Sequence, residues 1–467
     1  MSNLANNKKL FYERQNVWEK LNDQEKKNVY DFAQDYKEYL NKAKTERESV
    51  WYSIDYANTR GFKDLLKTEK LVPGDKVYFN KNNKALVMAV IGEKPLEEGL
   101  NIIGSHIDSP RLDLKPQPFY EKEGLALMKT HYYGGIKKYQ WTSIPLALHG
   151  IVVKNDGTMV NIVIGEDEGD TVFTITDLLP HLAKEQMEKK MNEAVTGESL
   201  NILCGSLPVI DQDIKEKVKH VVLEYLYSTY GTIEEDFISA EIEAVPAWPA
   251  RDIGFDRSLV GGYGQDDRVC AYTSLRAITD IKKPDRTSVI ILADKEEIGS
   301  SGNTGMMSSF FENAVAELVF RAGGSYSDLV LRRTLANSRA LSADVNAGID
   351  PNYEHVMEEM NAARIGYGLV ITKYTGSRGK NSANDAHAEF VGQVRQLFNK
   401  YNVGWQTGEL GKVDQGGGGT IAAFMAALGM NVVDCGVALL GMHSTFEIAA
   451  KTDIYMAYKG YKAFLEN

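Results

Sequence analysis

The alternation of apolar and polar positions divides the chain into stretches of different texture. From residue 11 to 66, apolar side chains such as Val17, Leu21, Val29, Phe32 and Tyr36 recur every three or four positions in a charged background, which predicts amphipathic helices packed on a sheet. Residues 76 to 96 predict a hairpin around Asn80–Lys84. Asn101–Ile103, Ser288–Asp294 and Val432–Leu440 are short apolar runs that predict buried strands, each leading to a glycine and polar groups. Helices are predicted from about 265 to 280, 306 to 322, 382 to 400 and 421 to 429, and a strand over Tyr367–Tyr374.

Between about 113 and 248 the pattern changes to glycines and short β-like runs, at Ala126–Thr130, Ile144–Leu148, Ile151–Val153, Met159–Ile164 and Asp236–Glu241, with charged helical segments near 181–195 and 211–230. The strand, glycine turn and helix grammar resumes only afterwards. The expected fold class is therefore α/β, with residues 1–112 and 249–467 forming one domain and 113–248 a β-rich domain inserted into it.

Composition narrows the function classes. Of the 467 residues, 43% are apolar and 25% charged, as in ordinary globular proteins, so disorder and fibrous folds are excluded. A net charge of -11 without a Lys/Arg block argues against nucleic acid and anionic membrane as partners. Cys204, Cys270 and Cys435 form neither a disulfide framework nor a CxxC knuckle. With a polar amino terminus and no apolar stretch of about 18 residues, a cytoplasmic location is expected.

The chemistry gathers at strand exits. Ser288–Gly299 delivers Glu296 and Glu297 to a Gly/Ser-rich turn, where an open α/β sheet binds its ligand. Asn101–Pro110 offers His106 and Asp108, two apart and so on one side of a strand; a carboxylate there can fix the tautomer of a metal-binding imidazole, or simply hydrogen-bond it. Asp266 or Asp267 can cap the helix after Gly261–Gly264; Asp344 and His443 follow further short apolar runs. Gln415–Thr420 exposes N–H groups but lacks the lysine of a phosphate-binding loop. His131, His149, His181 and His220 have no mutual ligand spacing and are expected to be surface or structural residues, and His387 a surface or packing one; Trp141 suits core packing, a subunit contact or a substrate rim. Two imidazoles among several carboxylates suit two divalent ions, zinc first, with manganese or cobalt as alternatives, leaving Glu296 free as a base.

Taken in order, His106-Ile-Asp108, Gln265–Arg268, Asp294–Gly302, Ser342-Ala-Asp344, Asp350–Tyr353 and Gly441–Ser444 closely resemble the aspartyl aminopeptidase family of dinuclear-zinc exopeptidases. Tyr133–Gly135, Trp141 and Pro145-Leu146 fit that family's inserted domain, and the likeness runs from about residue 20 to the end. The resemblance implies a catalytic domain with an inserted dimerisation or substrate-rim domain. It implies that Asp266 bridges two ions, with His106 and Asp344 on one, Glu297 and His443 on the other, Asp108 orienting His106 and Glu296 as base. It further implies peptide substrates with a free amino terminus, an acidic first residue recognised by Lys373, and a homo-oligomer such as a tetrahedral dodecamer. Two departures bear on specificity: Asp350 and Tyr139 stand where the family has histidines. A neutral-residue aminopeptidase, an N-acyl amino acid deacylase and a non-catalytic assembly scaffold are the alternatives.

Overall fold

The apolar runs meet side by side in the centre of a mixed sheet. In the computed structural model, which describes residues 10–323, 326–376 and 378–467, strands Ser288–Ala293, Asn101–His106, Arg339–Ser342 and Asn431–Gly436 are parallel neighbours in that order. Ala293 lies beside His106, and Ser342 beside both Gly104 and Asp434, so the carboxyl ends of these strands open onto one edge. Lys76–Lys81 and Ala85–Val90 form the expected hairpin and extend the sheet on one side; Leu369–Thr372 and Trp405–Thr407 extend it on the other. Most of the polar amino-terminal stretch lies outside the described residues, and among these no helix is long and apolar enough to cross a membrane.

Period-two alternation explains why the central runs are continuous in hydrophobicity. Ile103, Ile290, Leu292, Leu341 and Val433 face helices Asp23–Lys42, Gln265–Asp280 and Lys451–Glu466, whereas Ile102, Val289, Ile291, Ala340 and Val432 face Phe310–Gly323, Asp328–Ala336 and Ala422–Ala427. Both faces are covered, so both must be apolar. The amino-terminal helices begin at capping boxes, Asn22 with Glu25 and Thr45 with Glu48, each cap contributing about 1 kcal/mol.

A second sheet of six strands lies between Arg111 and Pro246 and has its own core, with Leu112, Leu146, Ile162, Ile242 and Trp141 buried in it. Its entering and leaving strands pair directly, Leu112 opposite Ala244. Trp141 is fully buried, which decides for core packing. Ile144–Leu148 and Ile151–Val153 are parts of one strand, Leu146–Val153. The strand expected over Asp236–Glu241 is instead a 3-10 turn, Glu234–Ser239, because the Asp236 carboxylate accepts the amides of Ile233 and Asn155 and curls the chain; pairing starts at Glu241. The expected helix at 181–195 is broken into the short turns Pro180–Leu182, Lys184–Met187 and Met191–Ala194, with Leu182, Met187 and Met191 exposed.

The last apolar run also divides. Asn431–Gly436 belongs to the central sheet, but Ala438–Leu440 joins a five-stranded sheet with Glu447–Ala450 and Leu259–Gly262. His443 thus sits on a hairpin turn rather than at a central strand end.

A buried polar cluster ties the six-stranded sheet to the amino-terminal helices. His149 Nδ1 lies 2.7 Å from Glu48 and Nε2 2.9 Å from Glu166, and Lys44 reaches Glu166 at 2.6 Å and the Pro246 carbonyl at 2.8 Å. Burial opposes a charged imidazole, but the hydrogen bonds and charges of Glu166 and Glu48 outweigh it and raise His149 above its ordinary value. A raised folded-state value means that this contribution is fully present below about pH 6.5 and is lost as pH climbs through the folded value. The denaturant midpoint of the wild type should therefore exceed that of His149→Gln most at about pH 6, with the gap closing towards alkaline pH; a gap constant with pH would show that the imidazole carries no charge.

Candidate metal centre

Each polar group at the sheet edge is placed by a local reason. After Ala293 the chain passes Asp294 and turns at Lys295, in the left-handed region at φ +66°, into the 3-10 turn Glu296–Ile298. The first amides of such a turn have no partner within it. Asp108 supplies one: its Oδ1 accepts the Glu296 N–H and its Oδ2 the Glu297 N–H, each at 3.1 Å. Gly264, at φ +69°, bends the chain into helix Gln265–Asp280, and a Cβ there would lie 2.1 Å from the buried Arg268 guanidinium, so glycine is required twice over. Asp266 stands at that bend, beside the ends of the parallel strands.

The two imidazoles are held in one tautomer. His106 Nδ1 donates to the Asp108 carbonyl and His443 Nδ1 to the Gly135 carbonyl, both at 3.0 Å. With the proton fixed on Nδ1, each Nε2 offers a lone pair to the centre of the cluster, as in a metal-ligating histidine. His106 Nε2 lies 3.2 Å from Asp266 Oδ1 and 3.9 Å from both Glu296 and Asp344; His443 Nε2 lies 3.1 Å from Asp266 Oδ2 and 3.5 Å from Glu297. Ligand atoms of His106, Asp266 and Glu297, of His106, Glu296 and Asp344, and of Asp266, Asp267 and Asp344 come within 4.8 Å of one another in each set. Glu297 Oε1 is buried and has no hydrogen-bond partner among the described residues. An ordered set of nitrogen and carboxylate donors with an unsatisfied oxygen fits a divalent cation such as zinc.

The electrostatics have the same origin. Burial, joined by the charges of Asp108 and Asp266, pushes Glu296 up to about 7, and burial pushes Glu297 and Asp344 well above the carboxylate range. Against the cost of burial, Asp266 and Glu297 push His443 up to about 10. The side chain of His443 is 36% exposed, that of Glu296 18% and that of His106 1%, so the cluster opens to solvent on the His443 side.

One carboxylate, Glu447, is not singled out in the sequence, and another, Asp267, is expected there only as a possible helix cap, a role that neither it nor Asp266 takes. Glu447 is buried; its Oε2 accepts the Asp266 amide at 3.0 Å and its Oε1 the His443 amide at 2.7 Å, tying the two loops together. Its signal was a single acid opening an otherwise apolar strand four residues after His443. Asp267 accepts the His106 amide at 3.2 Å, behind the cluster. Asp108 meets His106 chiefly through its carbonyl, since the carboxylate Oδ1 stands 3.4 Å from Nδ1.

Among the described residues, the other predicted site residues make no hydrogen bond or ion pair with the cluster. Lys373 is ion-paired with Asp385 at 3.1 Å, which also takes Lys380 at 3.0 Å, and both Lys373 and Asp385 are about half exposed. Tyr139 is exposed, and among the described residues no hydrogen bond links its phenol to the cluster. Asp350 accepts the backbone and side-chain N–H groups of Asn352 in a turn. A cavity of about 400 Å³ inside the six-stranded unit is walled by Leu114, Phe119, Met128 and Phe237; its one thiol, Cys204, is pushed up to about 12 by burial and is no nucleophile.

A mixed α/β sheet that gathers two oriented imidazoles and a ring of carboxylates at its parallel strand ends defines a metal-dependent hydrolase. Comparison with known proteins makes the class specific. The family model of the aminopeptidase I zinc metalloproteases (M18) matches residues 39–465. A probable M18 family aminopeptidase 1 of Clostridium acetobutylicum is 53% identical over 462 residues, 98% of this chain and 99% of its own. The crystal structure of the M18 aminopeptidase from Thermotoga maritima has a TM-score of 0.94 at 47% identity, covering 98% of this chain and 100% of that one. The Saccharomyces cerevisiae mApe1 dodecamer, at 22% identity and a TM-score of 0.75, shares the fold. The chain belongs to the M18 family of zinc metalloproteases and is a metal-dependent aminopeptidase.

Replacing Glu447 by Ala removes the acceptor of both loop amides and should lower zinc affinity about 10- to 100-fold. Competition against a chromophoric chelator measures this, with Glu447→Gln, which keeps one carbonyl oxygen, falling between; unchanged zinc retention in both variants would remove Glu447 from the centre.

Proposed function

We propose that the centre holds two zinc ions and removes the amino-terminal residue of peptides, with Asp266 as the shared ligand, His106 and Asp344 on one side and Glu297 and His443 on the other. The observation that carries this reading is the division of the Asp266 carboxylate, one oxygen 3.2 Å from His106 Nε2 and the other 3.1 Å from His443 Nε2. Zinc, when bound, lowers the pKa of water and polarises the scissile carbonyl. Glu296 Oε2, on the solvent side and outside the shared pair, takes the proton of the attacking water and returns it to the leaving amine. Asp108 orients the turn that carries Glu296 and Glu297.

Lys373 supports an acidic preference only if its ammonium faces the substrate. Its ammonium is engaged within the chain by Asp385, a carboxylate it shares with Lys380, and this favours a neutral first residue. The segment 113–248 is read as an inserted domain in which the adjacent entry and exit strands keep the two parts of the catalytic domain continuous. Exposed Leu178, Leu179, Leu182, Met187 and Met191 support its use as a contact between copies in a homo-oligomer.

Peptides beginning with Leu, Met, Ala, Lys, Asp or Glu, each with an acetylated control, test the specificity. Neutral first residues should be cleaved fastest and the acetylated forms not at all; faster cleavage of Asp and Glu would restore Lys373 as the selector, and cleavage of acetylated substrates would favour the deacylase. Glu296→Gln should lower kcat about 10²- to 10⁴-fold while both zinc ions stay bound; a near-normal kcat would remove Glu296 as base. Leu182→Asp with Met187→Asp should shift the sedimentation coefficient to a smaller species, and an unchanged coefficient would exclude this surface from the contact.

A further inference from the structure

Strand Leu125–Tyr133 ends at the metal centre, and its last residues reach both halves of it. The Tyr133 hydroxyl donates to Asp108 Oδ2 at 2.8 Å. That same carboxylate accepts the Glu296 and Glu297 amides, and the Asp108 carbonyl accepts His106 Nδ1. Two residues beyond Tyr133, the Gly135 carbonyl accepts His443 Nδ1. The approach is close: a Cβ on Gly134 would stand 3.4 Å from the Cβ and Oε2 of Glu297.

Tyr133 is braced from behind. The Arg111 guanidinium lies 3.9 Å from the centroid of its ring, and Arg111 is itself paired with Asp113 at 2.8 Å, Glu243 at 3.2 Å and Glu46 at 3.4 Å. Glu46 belongs to helix Glu46–Asn58 and Glu243 to strand Glu241–Pro246, so the guanidinium against the ring is tied both to the six-stranded sheet and to the amino-terminal helices.

We propose that Tyr133, braced by Arg111, is a positioning residue of the metal centre: its hydroxyl fixes the rotation of the Asp108 carboxylate and, through it, the turn bearing Glu296 and Glu297 and the loop that orients His106. Without the hydroxyl, Oδ2 keeps only the Glu297 amide, and the carboxylate can rock about its Cβ–Cγ bond. A ligand-bearing turn held by a rocking acceptor loses geometry, which an ion with tight bond lengths registers as lost affinity. The sheet between Arg111 and Pro246 is on this account part of the metal centre rather than only a rim. The inference rests on the ligands and base assigned under Proposed function.

Tyr133→Phe keeps the ring and its stacking with Arg111 and removes only the hydroxyl. Zinc affinity should fall about 10- to 100-fold in competition with a chelator. At saturating zinc, kcat should fall with KM unchanged, and Tyr132→Phe, at the exposed neighbouring position, should match the wild type. In an Asp108→Ala background, Tyr133→Phe should add no further loss, because the hydroxyl acts only through that carboxylate. Wild-type zinc competition and kcat in Tyr133→Phe, or a full additional loss in the Asp108→Ala background, would overturn the proposal. Should Tyr133→Phe lack a cooperative melt, Arg111→Lys carries the test, with zinc affinity reduced in the same direction. His106→Ala separates the levels: if it loses zinc while Tyr133→Phe does not, only the positioning role fails, and if it retains full zinc the ligand assignment itself fails.

Discussion

The structure depends on keeping several carboxylates together in a buried place. Asp108, Asp266, Asp267, Glu297, Asp344 and Glu447 are packed around two imidazoles at the end of the parallel strands, with Glu296 at the solvent side. Like charges removed from water repel strongly, and burial raises the proton affinity of most members of the set. A divalent cation, carrying two charges at the centre of the cluster, relieves that repulsion more fully than the two imidazoles at its edge. The same crowding that makes the apo-type electrostatics costly makes the site selective for a metal.

Three of these acids accept backbone amides. Asp108 takes the two amides of the Glu296 turn, Glu447 the amides of Asp266 and His443, and Asp267 the amide of His106. Each of these acids therefore locks the backbone of a residue of the cluster. Charge-assisted bonds of this kind are stronger than neutral ones and are fixed in direction. The inner carboxylates are placed by strands and turns, and those strands and turns are placed by the outer carboxylates.

Three sheets converge on this arrangement. The central sheet contributes the strand ends before His106, Glu296 and Asp344; the five-stranded sheet contributes the approach to Asp266 and the hairpin bearing His443; the six-stranded sheet contributes Tyr133 and the Gly135 carbonyl. A centre assembled from three sheets exists only in the folded chain, so metal binding and folding are coupled.

Much of this was legible in the amino-acid order because strand and helix signals are local. Buried runs such as Val289–Leu292 could be read as strands, the acids after them as strand-end groups, and His106, Asp266, Glu296, Glu297, Asp344 and His443 as one set by their shared position at element ends. What failed to show was equally physical. Glu447 and Tyr133 act on residues remote in the chain, through bonds that no periodicity records. The run Val432–Leu440 looked like one strand because hydrophobicity does not reveal that Asn431–Gly436 and Ala438–Leu440 enter different sheets. Lys373 carried the charge expected of an acid-recognising pocket, but its nearest partner, Asp385, is a matter of side-chain packing. The sequence by itself determined which residue types stand at which strand ends. Only the tertiary structure decided which carboxylate lies between the two imidazoles, which ones accept backbone amides behind them, and which acid pairs with Lys373, because those depend on distances between segments that meet only when the chain is folded.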